Sequence, residues 1–356
     1  MAMKDFSKRE ILKYVGDYNQ ILGIRDCTLN GGRAQGVRAM EIKNGSGLEF
    51  TVLPDRSMDI SQLSYKGINL SYLSKSGIVA PQYYNETGIE FLRSFYAGFL
   101  TTCGLRNVGS PVEDDGEAFG LHGRISNTPG ENVSSGVEWV DDKPVIRVSG
   151  RMREARLFGE NLVMNRTIIC SGGENKFEII DTIENDGFRR EPLMILYHFN
   201  LGYPLLDENA QFVIPAVKTR PKDEVAEKGL DAYHETQIPT PGFNEQVFYH
   251  TLAADDNGDT SAALINEKLG LGLVIGFNKN SLFNLTQWKQ MGAGDYVMGV
   301  EPGNCYVEGR VDAREKGVLE YLEPGETKEI KVTAEILDGS TEIDNYKDKI
   351  SKLLGR

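Results

Sequence analysis

What most constrains this chain is a long succession of short runs in which apolar and polar residues alternate, each closed by a glycine-bearing turn. Leu48-Glu-Phe-Thr-Val-Leu53, Pro144-Val-Ile-Arg-Val-Ser149 and Asn165-Arg-Thr-Ile-Ile-Cys170 read as strands, as do Phe177-Glu-Ile-Ile-Asp-Thr-Ile183 and Leu271-Gly-Leu-Val-Ile-Gly276. A period of two sends successive side chains to opposite faces, so most of these runs can bury one face and wet the other. Asn44-Gly45, Ser171-Gly-Gly173, Asn185-Asp-Gly187 and Asn257-Gly258 fall between the runs and supply tight reversals. Helical spacing is confined mainly to the ends. Residues 7–15 place Ile11, Leu12 and Val15 on one face behind a capping Ser7, and residues 344–354 do the same with Tyr346, Ile350, Leu353 and Leu354. Residues 319–337 predict a closing hairpin about Pro324-Gly325, and the polar stretch 222–234 predicts an exposed loop. The fold expected is all-β: one large antiparallel β-sandwich, a single domain over 1–356, with short helices at the two ends.

Charge narrows the partners. A formal net charge of -13 repels nucleic-acid phosphates and anionic membrane surfaces, and no basic run interleaved with aromatics offsets it. No nucleic acid and no membrane partner is expected. No apolar stretch is long enough to cross a bilayer, and the first ten residues lack the apolar core of a signal peptide. Cys27, Cys103, Cys170 and Cys305 are scattered without metal-ligand or redox spacing, which points to reduced thiols. A cytoplasmic monomer or homodimer is the expectation.

Two of the four histidines sit in distinctive frames. His198 follows the apolar run Leu193-Met-Ile-Leu-Tyr197, with Asn200 two residues on and therefore on the same face. A titratable ring at the end of a buried strand can face a cleft, although a core histidine bonded to a backbone carbonyl reads the same way. His122 lies between glycines in Gly120-Leu-His-Gly123, which permit close approach of backbone or ligand; an ordinary loop histidine is the alternative. Glu301 in Gly299-Val-Glu-Pro-Gly-Asn304 is held extended by the following proline and leaves the end of a strand, or is a solvated turn carboxylate. Trp288 offers an aromatic plane for a sugar's CH face, or simply packs in the core.

Taken together, Leu-His-Gly, His-Phe-Asn-Leu and Glu-Pro, in this order and at these separations, resemble the galactose mutarotase (aldose 1-epimerase) superfamily across about residues 40–337. The segments Leu53-Pro-Asp-Arg-Ser-Met-Asp-Ile60 and 288–305 are similar to a divergent bacterial branch of uncharacterised epimerase-like proteins. The resemblance implies the mutarotase-like supersandwich fold and an isomerase acting on a small-molecule carbohydrate without a metal or other cofactor. It makes His198 the acid that protonates the ring oxygen, Glu301 the base for the anomeric hydroxyl, and His122 a second imidazole gripping the sugar. It matches Arg106 to a hydroxyl-binding arginine. Glu245 is matched to a substrate-binding aspartate, with Gln246 where the pattern has histidine, a departure that bears on galactose itself. Arg56 and Asp59 are candidates to reach the site, or a strand-end pair.

Ring opening of a cyclic hemiacetal needs one proton given and one removed. An ionised glutamate and a protonated imidazole suit that task, since a nearby carboxylate raises a histidine pKa. Three other readings stay open on sequence. A metal-dependent cupin isomerase would pair its histidines closely, whereas some seventy-five residues separate His122 from His198. A carbohydrate-binding or sensing protein without catalysis could use the same cleft. A sugar-phosphate epimerase needs cations around a dianion, for which Arg56, Arg93 and Arg106 are available.

Overall fold

The computed structural model of the chain describes residues 7–355. The alternating runs become long antiparallel strands. Eight of them form one sheet, in the order Glu131–Val140, Lys143–Ala155, Asn161–Ser171, Lys176–Asn185, Thr327–Asp338, Leu271–Asn278, Asp259–Asn266 and Ala210–Val213. Lys143–Ala155 and Lys176–Asn185 alternate buried and half-exposed positions, as a period of two with one inward face requires. A second sheet runs Ala216–Pro221, Gln246–Leu252, Asn284–Gly292, Asp295–Gly303, Glu191–Leu201 and Glu320–Leu322, and Leu100–Leu105 also pairs with Glu191–Leu201. Ile146, Ile179, Leu273 and Val332 of the first sheet share one apolar cluster with Ile195, Tyr197, Leu285 and Val300 of the second, so the two are the layers of a β-sandwich. A five-stranded sheet begins with Gly23–Thr28 and includes Leu48–Leu53 and Asp59–Tyr65, and its Phe50, Ile60 and Leu63 join the same core.

Glu191–Leu201 is buried at every position, so both of its faces meet protein. Tyr197 points inward. Its hydroxyl donates to Asp181 Oδ2 at 2.7 Å, within a polar island fully enclosed by the core. There Arg166 donates Nε to Asp181 Oδ1 at 2.8 Å, Nη1 to Asp59 Oδ1 at 2.8 Å and Nη2 to Thr102 Oγ1 at 2.8 Å. The other oxygen of Asp59 accepts from the Thr102 amide at 2.9 Å. Buried charges persist only where such partners compensate the loss of water.

Three expectations change. The closing hairpin does not form: Glu320–Leu322 pairs with Glu191–Leu201, while Thr327–Asp338 runs between Lys176–Asn185 and Leu271–Asn278. The Pro-Gly turn therefore carries the chain from one sheet to the other. The first helix is only Lys8–Ile11, closed by a Ser7–Glu10 capping box, whereas the last extends back to Ser340 and lays Ile343, Tyr346 and Ile350 on the outer side of the large sheet. The stretch 222–234 contains a helix, Glu224–Glu227, whose first amides are capped by Asp223. It folds back on the second sheet, where Gln287 and Lys289 donate to the carbonyls of Tyr233 and Ala232.

Candidate active site

Strand register brings the first two groups together. Phe199 pairs with Val300 and Leu196 with Gly303, which sets His198 opposite Glu301 on neighbouring strands. His198 Nε2 lies 3.2 Å from Glu301 Oε1. On the far side of Asp295–Gly303, Thr286 pairs with Glu301 and Trp288 with Gly299. Gly299 is required here, because a Cβ at that position would sit 2.5 Å from Glu301 Oε1 and 2.8 Å from the Trp288 Cβ. Trp288 stands edge-on to His198, with ring centroids 5.5 Å apart, and donates Nε1–H to Glu245 Oε2 at 2.7 Å.

His122 arrives from a separate loop. Its backbone is left-handed, at φ 60°, an uncommon conformation for a residue with a side chain. Two hydrogen bonds hold it there: its amide donates to the Gly109 carbonyl at 2.9 Å, and its carbonyl accepts from the Gly104 amide at 3.0 Å. The flanking glycines allow the approach, since a Cβ on Gly123 would lie 2.3 Å from the Gly104 oxygen and one on Gly120 would lie 2.0 Å from the Glu86 oxygen. The His122 ring then sits 5.8 Å from that of His198.

These groups line one cavity of about 240 Å³, with Phe91 and Phe95 as an aromatic wall and Lys222 at the rim. That volume is smaller than sites for drug-sized ligands and suits a single small molecule. A wider, open concavity of about 790 Å³ lies over the five-stranded sheet, but it holds no imidazole.

Burial sets the protonation states. It pushes Glu301 well above the usual carboxylate range; repulsion from Glu245 adds to this and Lys222 opposes it. Burial, followed by repulsion from His122, holds His198 well below the ordinary imidazole value, and His122 falls to about 4 for the same leading reason. Both shifts oppose the ionised glutamate and protonated imidazole that the two groups' proximity alone would favour. Glu301 Oε1, His198 Nδ1 and His122 Nδ1 are buried without a hydrogen-bond partner, a costly condition in a protein interior.

His122, His198, Glu301, Trp288 and Glu245 meet in the cavity, whereas Arg106, Arg56 and Asn200 do not line it. Arg106 is held by Glu117, Glu160 and Glu191. Arg56 is enclosed, donating to the carbonyls of Ser126, Val79 and Ser94, and Asp59 belongs to the Arg166 island rather than pairing with it. Asn200 shares the His198 face, but its amide is tied to the carbonyls of His198 and Ala97. Arg93 makes a surface pair with Glu90. Sequence reasoning passed over Lys222, Phe91, Phe95 and Thr286. The Phe91–Phe95 spacing within an aromatic-rich stretch was an available signal; Lys222, in a polar segment, gave none.

Residues 34–336 match the model of a family described as a domain of unknown function, DUF4432. No curated protein matches the chain. Among solved structures, a candidate aldose 1-epimerase of Klebsiella pneumoniae subsp. pneumoniae is 29% identical, with a TM-score of 0.90 over 95% of this chain and 91% of that one. A galactose mutarotase-like protein from Clostridium acetobutylicum is 15% identical, with a TM-score of 0.61 over 90% and 100% of the two chains. A galactose 1-epimerase from Lactobacillus acidophilus is 13% identical, with a TM-score of 0.56 over 90% and 100%. The last two likenesses concern the fold alone, which is the galactose mutarotase-like β-sandwich.

Proposed function

The chain belongs to the DUF4432 family and carries a mutarotase-like fold, and from its cleft we propose that it interconverts the α and β anomers of a free monosaccharide or close derivative. The observation that carries this reading is the His198–Glu301 contact, 3.2 Å across, set by strand register at a cavity one small molecule can fill. The anomeric hydroxyl and the ring oxygen are bonded to one carbon, so the two groups that exchange protons with them must themselves be neighbours.

The pair holds one mobile proton. From the neutral arrangement, Glu301 gives its proton to the ring oxygen as the C1–O bond breaks, and His198 takes the proton of the anomeric hydroxyl as that oxygen becomes the aldehyde. From the ion pair, in which His198 rather than Glu301 carries the proton, the roles are those implied by the family resemblance. Rotation about C1–C2 presents the other carbonyl face, and the reverse transfers close the ring, so no proton is gained or lost overall. His122 is oriented to hold a sugar hydroxyl. Trp288 supplies a plane for the sugar's CH face, and Glu245, fixed by the indole, is an acceptor for another hydroxyl. The arginines that a sugar-phosphate reading would use lie elsewhere, and the cation at this cavity is Lys222. A panel of aldoses, ketoses and uronates examined by saturation transfer between anomer resonances tests the proposal. Faster exchange for at least one sugar supports it, and spontaneous rates across the whole panel refute it.

A further inference from the structure

The segment from Ser110 to His122 lines the cleft with its two ends, and its middle, through Asp114, Glu117 and Phe119, faces a second cavity of about 440 Å³. Arg106, Arg156, Arg189, Arg190, Arg310 and Arg314 line this second space, six guanidinium groups against four carboxylates. Glu160 pairs with Arg106 and Arg156, and Glu323 with Arg190, from just outside the lining, so the charges around the cavity balance.

Within this balance Arg310 is incompletely satisfied. It is only 6% exposed, yet its Nη1 has no hydrogen-bond acceptor. Its Nε lies 2.9 Å from Asp114, a carboxylate it shares with Arg314, which donates to both oxygens. The guanidinium groups of Arg310 and Arg106 also lie against the Phe119 ring, 4.4 and 5.1 Å from its centroid, so the donors are fixed in place before any ligand arrives. A buried guanidinium short of acceptors is expensive, and an oxyanion supplies what it lacks. We propose that this cavity binds a phosphate group, either inorganic phosphate or the phosphomonoester end of a small metabolite. The site is independent of the anomerase reading, since it shares none of the cleft's acid–base residues.

Calorimetric titration at low ionic strength and pH 7.5, with inorganic phosphate and glycerol 3-phosphate in separate arms and chloride as the control, tests it. One saturable site per chain is expected from at least one phosphate, with none from chloride; the arm that saturates identifies the source. Arg189 and Arg190 are both more than half exposed, so the double variant R189A/R190A keeps the core intact, and it should bind about tenfold or more weakly. Arg310→Gln should lose the site. Glu301→Gln should bind phosphate as the parent does. Absence of saturable binding in both arms, an R189A/R190A affinity equal to the parent's, or loss of binding in Glu301→Gln would each overturn the assignment.

Discussion

Tyr197 and His198 are consecutive residues on one strand, and they enter two opposite kinds of buried polar environment. On the Tyr197 side, Arg166, Asp59, Asp181 and Thr102 satisfy one another through hydrogen bonds. On the His198 side, His198, His122 and Glu301 keep buried polar atoms without partners beside an open cavity. Both islands cost desolvation. The first repays it within the fold, and the second leaves capacity that a ligand can use. A closed network therefore marks structure, and an incomplete one beside a cavity marks a site of chemistry.

The sharpest way to break this contrast is to remove one member of each island. Arg166→Met strands two buried carboxylates, of which burial has already pushed Asp59 up to about 6, and should cost about 3–5 kcal/mol in urea unfolding. Glu301→Gln should not be less stable at pH 7. The folded-state pKa of Glu301 is raised, so its burial as an acid costs stability once pH exceeds the ordinary carboxylate value, and an amide removes that cost. A loss in Glu301→Gln as large as that in Arg166→Met would erase the distinction.

Histidine burial gives the next effect. His122 and His250 are both held at about 4, His250 with Thr219 at Nδ1 and Gln287 at Nε2. Between pH 6.5 and 4 the unfolded chain binds protons that the folded chain refuses, so stability falls as pH falls through that window. His250→Gln should flatten this acid slope in thermal melts without moving the activity profile. The low His198 pKa likewise places the acid limb of the exchange rate below pH 6.5; a midpoint at or above 6.5 would contradict the buried, neutral ring. The smallest effect expected is at the cavity wall. Trp288→Ala should raise the half-saturating sugar concentration roughly fivefold, with a lesser change in maximal rate.

Much of the frame was legible because period-two alternation and glycine turns are local signals: Leu48–Leu53 forms with the bounds the alternation implies. Pro324-Gly325 misled because the turn was real but its two strands found partners in different sheets. Within the site, the glycines around His122 and the proline after Glu301 were visible consequences of tight backbone geometry. Arg106 and Arg56 were not separable from ligand-binding arginines, because the carboxylates and carbonyls that hold them come from distant segments. The opposing effect of burial on protonation was hidden for a related reason. A neighbouring carboxylate argues for a charged imidazole, but burial, which only the tertiary fold supplies, acts in the opposite direction.

The most direct test of the proton-sharing pair is anomer exchange measured on Glu301→Gln and His198→Asn beside the parent, using whichever sugar the parent turns over fastest. Each variant should fall by about 10²–10⁴-fold, towards the spontaneous rate, with melting temperatures held near the parent's. Exchange that persists at the parental rate in both folded variants would contradict the account.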